Sequence, residues 1–198
     1  MSKYLLPSAL LWVMTATSVF SEASQSEELT LSKVIANVSE QPPSTVAFEE
    51  QRHSAMLTEA LQLSGQLEYL GPGQLRKTIE QPFQETVLVN QQQIEVSRDG
   101  RTQRLSLKSN RMMQTLLGGI AAMLAGDTTR LEKDFEPTLT GTEADWVLLL
   151  QPRVKRIAAH LQHIEARGNA ESVQSIRIQF DAQEWQMMEL HPAVPEMP

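Results

Sequence analysis

The feature that most restricts the fold is the unbroken alternation of apolar and polar residues between Leu61 and Tyr69. Leu61, Leu63, Gly65, Leu67 and Tyr69 take one side, while Gln62, Ser64, Gln66 and Glu68 take the other. A strand sends successive side chains to opposite faces, so this period fits a strand buried on one side only. Gly71-Pro72-Gly73 turns the chain, and Leu75, Lys77 and Ile79 resume the same period. Thr86-Val87-Leu88-Val89, then Ile94 and Val96, then Leu105 and Leu107 follow it, with Asn90-Gln91 and Asp99-Gly100 in the positions of tight turns. Strands joined so closely must be neighbours. The central third is therefore an antiparallel meander whose polar face tolerates water.

Helices are expected on either side of this meander. Thr30 is placed to cap a helix carrying Leu31, Val34, Ile35 and Val38, which Gln41-Pro42-Pro43 ends. Val46 and Phe48 then begin an alternating run toward Arg52. From Ser109 the period lengthens, and Met112, Met113, Leu116, Leu117, Ile120, Met123 and Leu124 form one broad apolar helical face. Gly118-Gly119 lowers its helicity by about 1 kcal/mol per glycine and admits a bend or a close approach to the sheet. Asp127 or Thr128 caps a further turn or two ending near Phe135.

Strands return at Pro137-Thr138-Leu139-Thr140 and at Ala144 to Leu150, the second apolar on both faces and so expected to be covered on both. Val154, Ile157, Ala158 and Leu161 favour a short helix. Gly168-Asn169 separates a strand around Ile164 from one over Ser172 to Phe180, and a last strand runs through Trp185, Met187 and Glu189.

At the other end of the chain, Lys3 precedes the apolar run from Tyr4 to Met14, which relaxes into small residues through Ser21. That is the order of a secretory signal peptide. Residues 1–21 are expected to be removed, by cleavage after Ser21 or after Ala23, leaving 22–198 as one domain of ordinary size. The apolar run falls short of the roughly 20 residues that a bilayer crossing takes. The sequence has no cysteine, which argues against a lipid-anchored lipoprotein and against disulfides. A formal net charge of -7 repels phosphate backbones and anionic lipid surfaces, so no nucleic-acid partner is expected.

Residues with catalytic or metal-binding chemistry are sparse. The histidines are His53, His160, His163 and His191, and none stands in a His-Glu-x-x-His arrangement. His160 and His163 lie three apart with Glu165 nearby, but no further ligand stands at a suggestive spacing, so surface histidines are expected. No Gly-x-Ser-x-Gly elbow or phosphate-cradling glycine loop is present. Glu49, Glu50 and Glu184 are scattered acids. The expectation is a protein without catalytic residues, metal or cofactor. Arg52, Arg76, Lys77 and Glu80 fall within strands, where alternation turns some of them inward; a half-buried arginine needs a partner, which makes Arg52 a candidate latch between sheet and helix.

A long antiparallel sheet accumulates roughly 20 to 25 degrees of twist per strand pair, which predicts a curled sheet with a concave side. The methionine-faced helix between the two meanders is the expected plug, and Met56, Met112, Met113, Met123, Met187 and Met188 would give a cavity wall able to repack. At this point the chain resembles a known family. Phe48-Glu49-Glu50-Gln51-Arg52, Met56-Leu57, Leu61, Gly65-Gln66-Leu67-Glu68-Tyr69, Pro72, Leu75, Lys77 and Gln81-Pro82-Phe83-Gln84-Glu85 are similar to the divergent branch of the periplasmic outer-membrane lipoprotein carrier (LolA) superfamily. Asp145 to Pro152 resembles its tryptophan strand, and Val173-Gln174-Ser175-Ile176 follows in order.

The resemblance covers nearly all of the mature chain. It implies a mainly antiparallel, strongly curved, incomplete (unclosed) β-barrel with a helical lid over the concave face. The implied function is non-catalytic: binding lipid or lipoprotein acyl chains in an apolar cavity and shuttling them across the periplasm of a Gram-negative bacterium, from an inner-membrane donor to an outer-membrane acceptor. On that reading Phe48, Leu63, Leu67, Met113, Leu117, Ile120, Leu124 and Leu148 line the cavity and lid, and the carrier works as a monomer. The alternative is a structural or adaptor protein of the envelope with no lipid cargo.

Overall fold

The computed structural model describes residues 29–40, 45–71, 73–90 and 92–192. The expected signal peptide with its cleavage sites, the Gln41-Pro42-Pro43 stop, Pro72 and Gln91 lie outside the described residues.

Helix α1 (Leu31–Glu40) begins after Thr30, whose Oγ1 accepts a hydrogen bond from the Lys33 amide at 3.3 Å, and it buries Val34, Ile35 and Val38. The first meander contains β1 (Thr45–His53), β2 (Leu61–Gly71), β3 (Gln74–Gln81), β4 (Glu85–Val89), β5 (Gln93–Arg98) and β6 (Arg101–Ser106). Asn90 Oδ1 accepts from the amides of Gln92 and Gln93, which shapes the β4–β5 turn. Leu107, expected to continue β6, instead enters a single 3-10 turn (Leu107–Ser109) and buries itself there.

Helix α2 (Arg111–Leu124) is capped by Asn110, whose side chain accepts from the Met113 amide. Helix α3 (Thr128–Asp134) is capped by Asp127, which accepts from the Arg130 amide at 2.9 Å. The second meander is β7 (Phe135–Thr142), β8 (Asp145–Pro152), the short α4 (Lys155–Ala158), β9 (His163–Gly168), β10 (Val173–Gln179) and β11 (Trp185–Pro192).

All the strands among the described residues belong to one antiparallel sheet in the order β6-β5-β4-β3-β2-β1-β11-β10-β9-β8-β7. The two meanders join where the first strand pairs with the last, Phe48 lying opposite Leu190 and Glu50 opposite Met188. Register then carries one apolar row across the sheet. Val46 faces Leu67, Met188 faces Ile176, Ile178 faces Ile164, and Ala166 faces Leu148. Most polar residues of the strands fall on the other side, as their alternation requires, with Glu50 and Lys77 as exceptions within the apolar row.

This sheet corrects the expectation of a strongly curved, incomplete barrel with a helical lid. It is an open eleven-stranded antiparallel sheet with flanking helices, and its terminal strands β6 and β7 are separate edges. Twist rotates each strand relative to its neighbour, but rolling a sheet into even part of a barrel wall also requires strand tilt and a staggered register, which twist does not by itself supply. The buried side chains accordingly form two groups rather than one enclosed interior. The larger joins α1, α2 and α3 to β7, β8 and β9 through residues such as Ile35, Leu131, Phe135, Leu148 and Ile164, while Phe48, Leu63 and Ile79 form the smaller under β1–β3. Every residue of β6 is exposed.

The second face of β8 is also less covered than its composition suggests. Trp146, Leu148 and Leu150 are buried, but Val147 and Leu149 are only half-buried. The double glycine of α2 meets the close-approach expectation: a Cβ on Gly119 would stand 2.7 Å from the Phe135 ring, so its absence lets the helix settle on β7.

Gly65 occupies the tightest point of the first meander, since a Cβ there would lie 1.9 Å from the Thr78 carbonyl oxygen on β3. Backbone cannot swing aside as a side-chain end can. Gly65→Ala is therefore expected to lower unfolding stability by about 1–3 kcal/mol, measured as a fall in the urea midpoint.

Candidate functional site

An apolar cavity of about 410 Å³ lies between the helices and the sheet. Val38 of α1 and Ile120, Met123 and Leu124 of α2 form its helical wall. The opposite wall comes from both meanders: Val46, Leu67, Tyr69 and Leu75 from β1–β3, and Val173, Ile176 and Leu190 from β10 and β11. The few polar groups are Thr45, Glu171, Ser172, His191 and the hydroxyl of Tyr69. An apolar lining with a small number of polar groups, at a volume inside the roughly 300–1,000 Å³ of ligand pockets, suits an apolar guest.

Next to this cavity the inner face becomes charged. Glu50, with its side chain fully buried on β1, accepts from Arg52 Nε through one carboxylate oxygen and from Lys77 Nζ on β3 through the other. Lys77 also lies 4.4 Å from the centroid of the Phe48 ring, a cation–π contact. Burial holds the Lys77 ammonium below its ordinary value of 10.5, against the opposing pull of Glu50. Lys77 is opposite Leu67 in the β2–β3 register, so this charged group adjoins the cavity wall.

The residues expected to line a cavity and lid separate into several environments. Leu67, Ile120 and Leu124 come together around the 410 Å³ cavity. Phe48 and Leu63 are buried in the smaller core group, and Leu148 is buried in the larger, against which Met113 packs. Leu117 faces a different cavity on the other side of α2. Arg52 engages Glu50, two residues earlier on its own strand. Arg76 pairs with Glu68 at 3.1 Å on the polar face. Of the methionines, Met123 reaches the cavity, Met188 packs on the smaller core group, and Met56 is 92% exposed in the β1–β2 loop.

Several cavity residues were missed by sequence reasoning, including Val38, Val46, Tyr69, Leu75, Val173 and Leu190. They lie on six different elements, α1, β1, β2, β3, β10 and β11, and period alone cannot say which elements meet. Lys77 stood among the strand charges of which alternation turns some inward, whereas Glu50, read as a scattered acid, carried the same signal unread: each interrupts an otherwise apolar row at period two. His160 and His163 do not join Glu165 in a ligand cluster. Instead Glu49, Glu189 and His191, all exposed, bring one ligand-type atom each within 4.8 Å of one another. No helix among the described residues is long and apolar enough to cross a membrane.

Residues 23–194 match a family described as outer membrane lipoprotein carrier protein LolA-like. Among curated proteins no sequence matches the chain. Among solved structures, the LolA superfamily protein NE2245 of Nitrosomonas europaea is 14% identical with a TM-score of 0.42, the match covering 86% of this chain and 96% of that one. LprF of Mycobacterium bovis is 12% identical with a TM-score of 0.40, over 84% and 96% of the two chains. The MucA/MucB complex structure from Pseudomonas aeruginosa matches at 12% identity and a TM-score of 0.41, over 83% of this chain and 58% of that one.

Removing the shared acceptor should expose the cost of the buried charges. Glu50→Gln leaves Lys77 buried without its carboxylate, and a loss of about 3–5 kcal/mol in unfolding free energy is expected, the range for breaking a buried pair from one side. The Lys77 shift has its own signature. Its folded-state value is depressed, so between that value and 10.5 the unfolded chain binds more protons, and stability should rise with pH across this window. Urea titrations of the wild type and Lys77→Met at several alkaline pH values check the sign: the rise should be smaller in the variant.

Proposed function

We propose that this chain, which belongs to the outer membrane lipoprotein carrier protein LolA-like family, binds the acyl chain of a lipid or lipoprotein in the cavity between α2 and the sheet. The protein is non-catalytic and works in the periplasm of the Gram-negative envelope, in a carrier or adaptor role. The observation that carries the finer reading is the 410 Å³ apolar cavity at the junction of the two meanders. An acyl chain in water costs about 0.8 kcal/mol per exposed CH₂, so a protein that moves one across an aqueous compartment must give it an apolar enclosure. Ile120, Leu124 and Leu67 supply that enclosure from opposite walls.

In this reading residues 1–21 direct export and are removed, and 22–198 act as a single unit. An inner-membrane donor loads the cavity and an outer-membrane acceptor empties it. Acylated proteins and other acylated lipids are both suitable cargo, because the cavity wall addresses only the chain.

Lipid extraction from the protein purified from its native periplasm, followed by mass spectrometry, tests the reading. Acyl lipid is expected to accompany the wild type, and a fluorescent fatty acid should enter the cavity. Ile120→Glu places a carboxylate in the apolar wall and should weaken that uptake at least about tenfold, with circular dichroism confirming that the variant is folded. A wild-type protein that repeatedly carries no lipid and takes up no fatty acid would instead be a structural or adaptor protein of the envelope.

A further inference from the structure

A second cavity, of about 600 Å³, lies on the far side of α2 from the apolar one. Leu75 lines both, so the two cavities adjoin at β3. Three cations line the second: Arg111 in the first turn of α2, and Arg130 and Lys133 on α3. Among the described residues, no ion pair or side-chain hydrogen bond engages any of these three charged groups. Two carboxylates, Asp127 and Asp134, share the lining, and Asp127 is already occupied by capping α3 through the Arg130 amide. A helix start disfavours a cation, so Arg111 adds to the positive end of α2 rather than balancing it. Arg130 lies against the helix, its Nη2 3.3 Å from where a Cβ on Gly118 would stand.

We propose that this cavity receives the phosphate-bearing head group of the lipid whose acyl chain occupies the neighbouring apolar cavity. The proposal rests on the acyl-binding reading above and adds the chemistry of the other end of the ligand. Guanidinium groups present a planar fork that matches phosphate oxygens, and two of them with an ammonium stand around one hollow. The chain's net charge of -7 opposes an extended anionic membrane surface. A single head group inside the cavity is governed by the charges close to it, since more distant exposed charges are screened beyond about 8 Å at physiological salt.

Binding of lysophosphatidic acid and of a monoacylglycerol with the same acyl chain to the periplasmic protein separates the two ends of the ligand. Lysophosphatidic acid is expected to bind about tenfold tighter, the scale of two or three solvent-exposed ion pairs. Arg111→Gln with Arg130→Gln should reduce it to the affinity the wild type has for the monoacylglycerol. Both positions are exposed, so the double variant should fold. Equal wild-type affinity for the two lipids, or a preference that survives the double variant, would overturn the head-group site while leaving acyl binding intact. Displacement of lysophosphatidic acid by an equal concentration of inorganic phosphate would reassign the site to free phosphate and overturn the lipid assignment. Failure of both lipids to bind would overturn the acyl-binding reading first, and this proposal with it.

Discussion

Pairing of β1 with β11 is the constraint on which the rest of the structure depends. Each meander is a local object, assembled from short connections between neighbouring strands. Among the described strand pairings only this junction joins segments far apart in sequence: it sets Val46 opposite Pro192 and Phe48 opposite Leu190, so that the apolar rows of the two halves become one surface. The cavity follows from this. One part of its sheet wall comes from β1–β3 and the other from β10 and β11, and neither meander could form it unaided. A slip of one residue in this register would turn the apolar row of one half toward water, separating the two parts of the wall.

Helix α2 completes the arrangement because it carries different chemistry on different sides. Ile120, Met123 and Leu124 face the apolar cavity, while Leu117, Gly118 and Ala121 face the larger one with its cations. Small residues at Gly118 and Gly119 let both Arg130 and the Phe135 ring come close to the helix axis. On the sheet, the buried Glu50 carboxylate engages half-buried Arg52 and the more deeply placed Lys77, whose ammonium would otherwise be costly to bury. Lys77 lies over Phe48 and across from Leu67, so the change from apolar to charged inner face occurs within one residue pair. Placing hydrocarbon contacts and charged contacts in adjacent positions gives the interior two chemistries at short range.

Much of the secondary structure was legible in the sequence. Alternation marked β2 and β3, Thr30 marked the start of α1, the pair Asp127 and Thr128 bracketed the start of α3, and the spacing from Met112 to Leu124 marked α2. These signals are local: a cap bonds within three residues and a strand alternates with itself. The errors have equally physical causes. Leu107 continues the period-two pattern but is buried in a 3-10 turn, because burial there outweighs strand extension. Val147 and Leu149 suggested a second covering layer on β8, yet half-burial at the surface is enough for them. The expectation of an incomplete barrel treated accumulated twist as strong curvature, whereas twist rotates each strand relative to the next without rolling the sheet into a wall, and the sheet stays open with β6 and β7 as separate edges.

The sequence by itself determined the antiparallel meanders, the amphipathic helix between them, the absence of cysteine chemistry and the resemblance to a carrier family, because each is written in neighbouring residues or in their order. Only the tertiary structure decided which of those residues share a cavity. Leu67, Ile120 and Leu124 meet there, while Phe48, Leu63 and Leu148, indistinguishable from them by pattern, are sealed into core groups. It also decided that Arg52 meets Glu50 and that Glu50 meets Lys77, 27 positions away. Periodicity assigns a side chain to a face; the long-range pairing of strands and the seating of α2 determine what lies opposite that face.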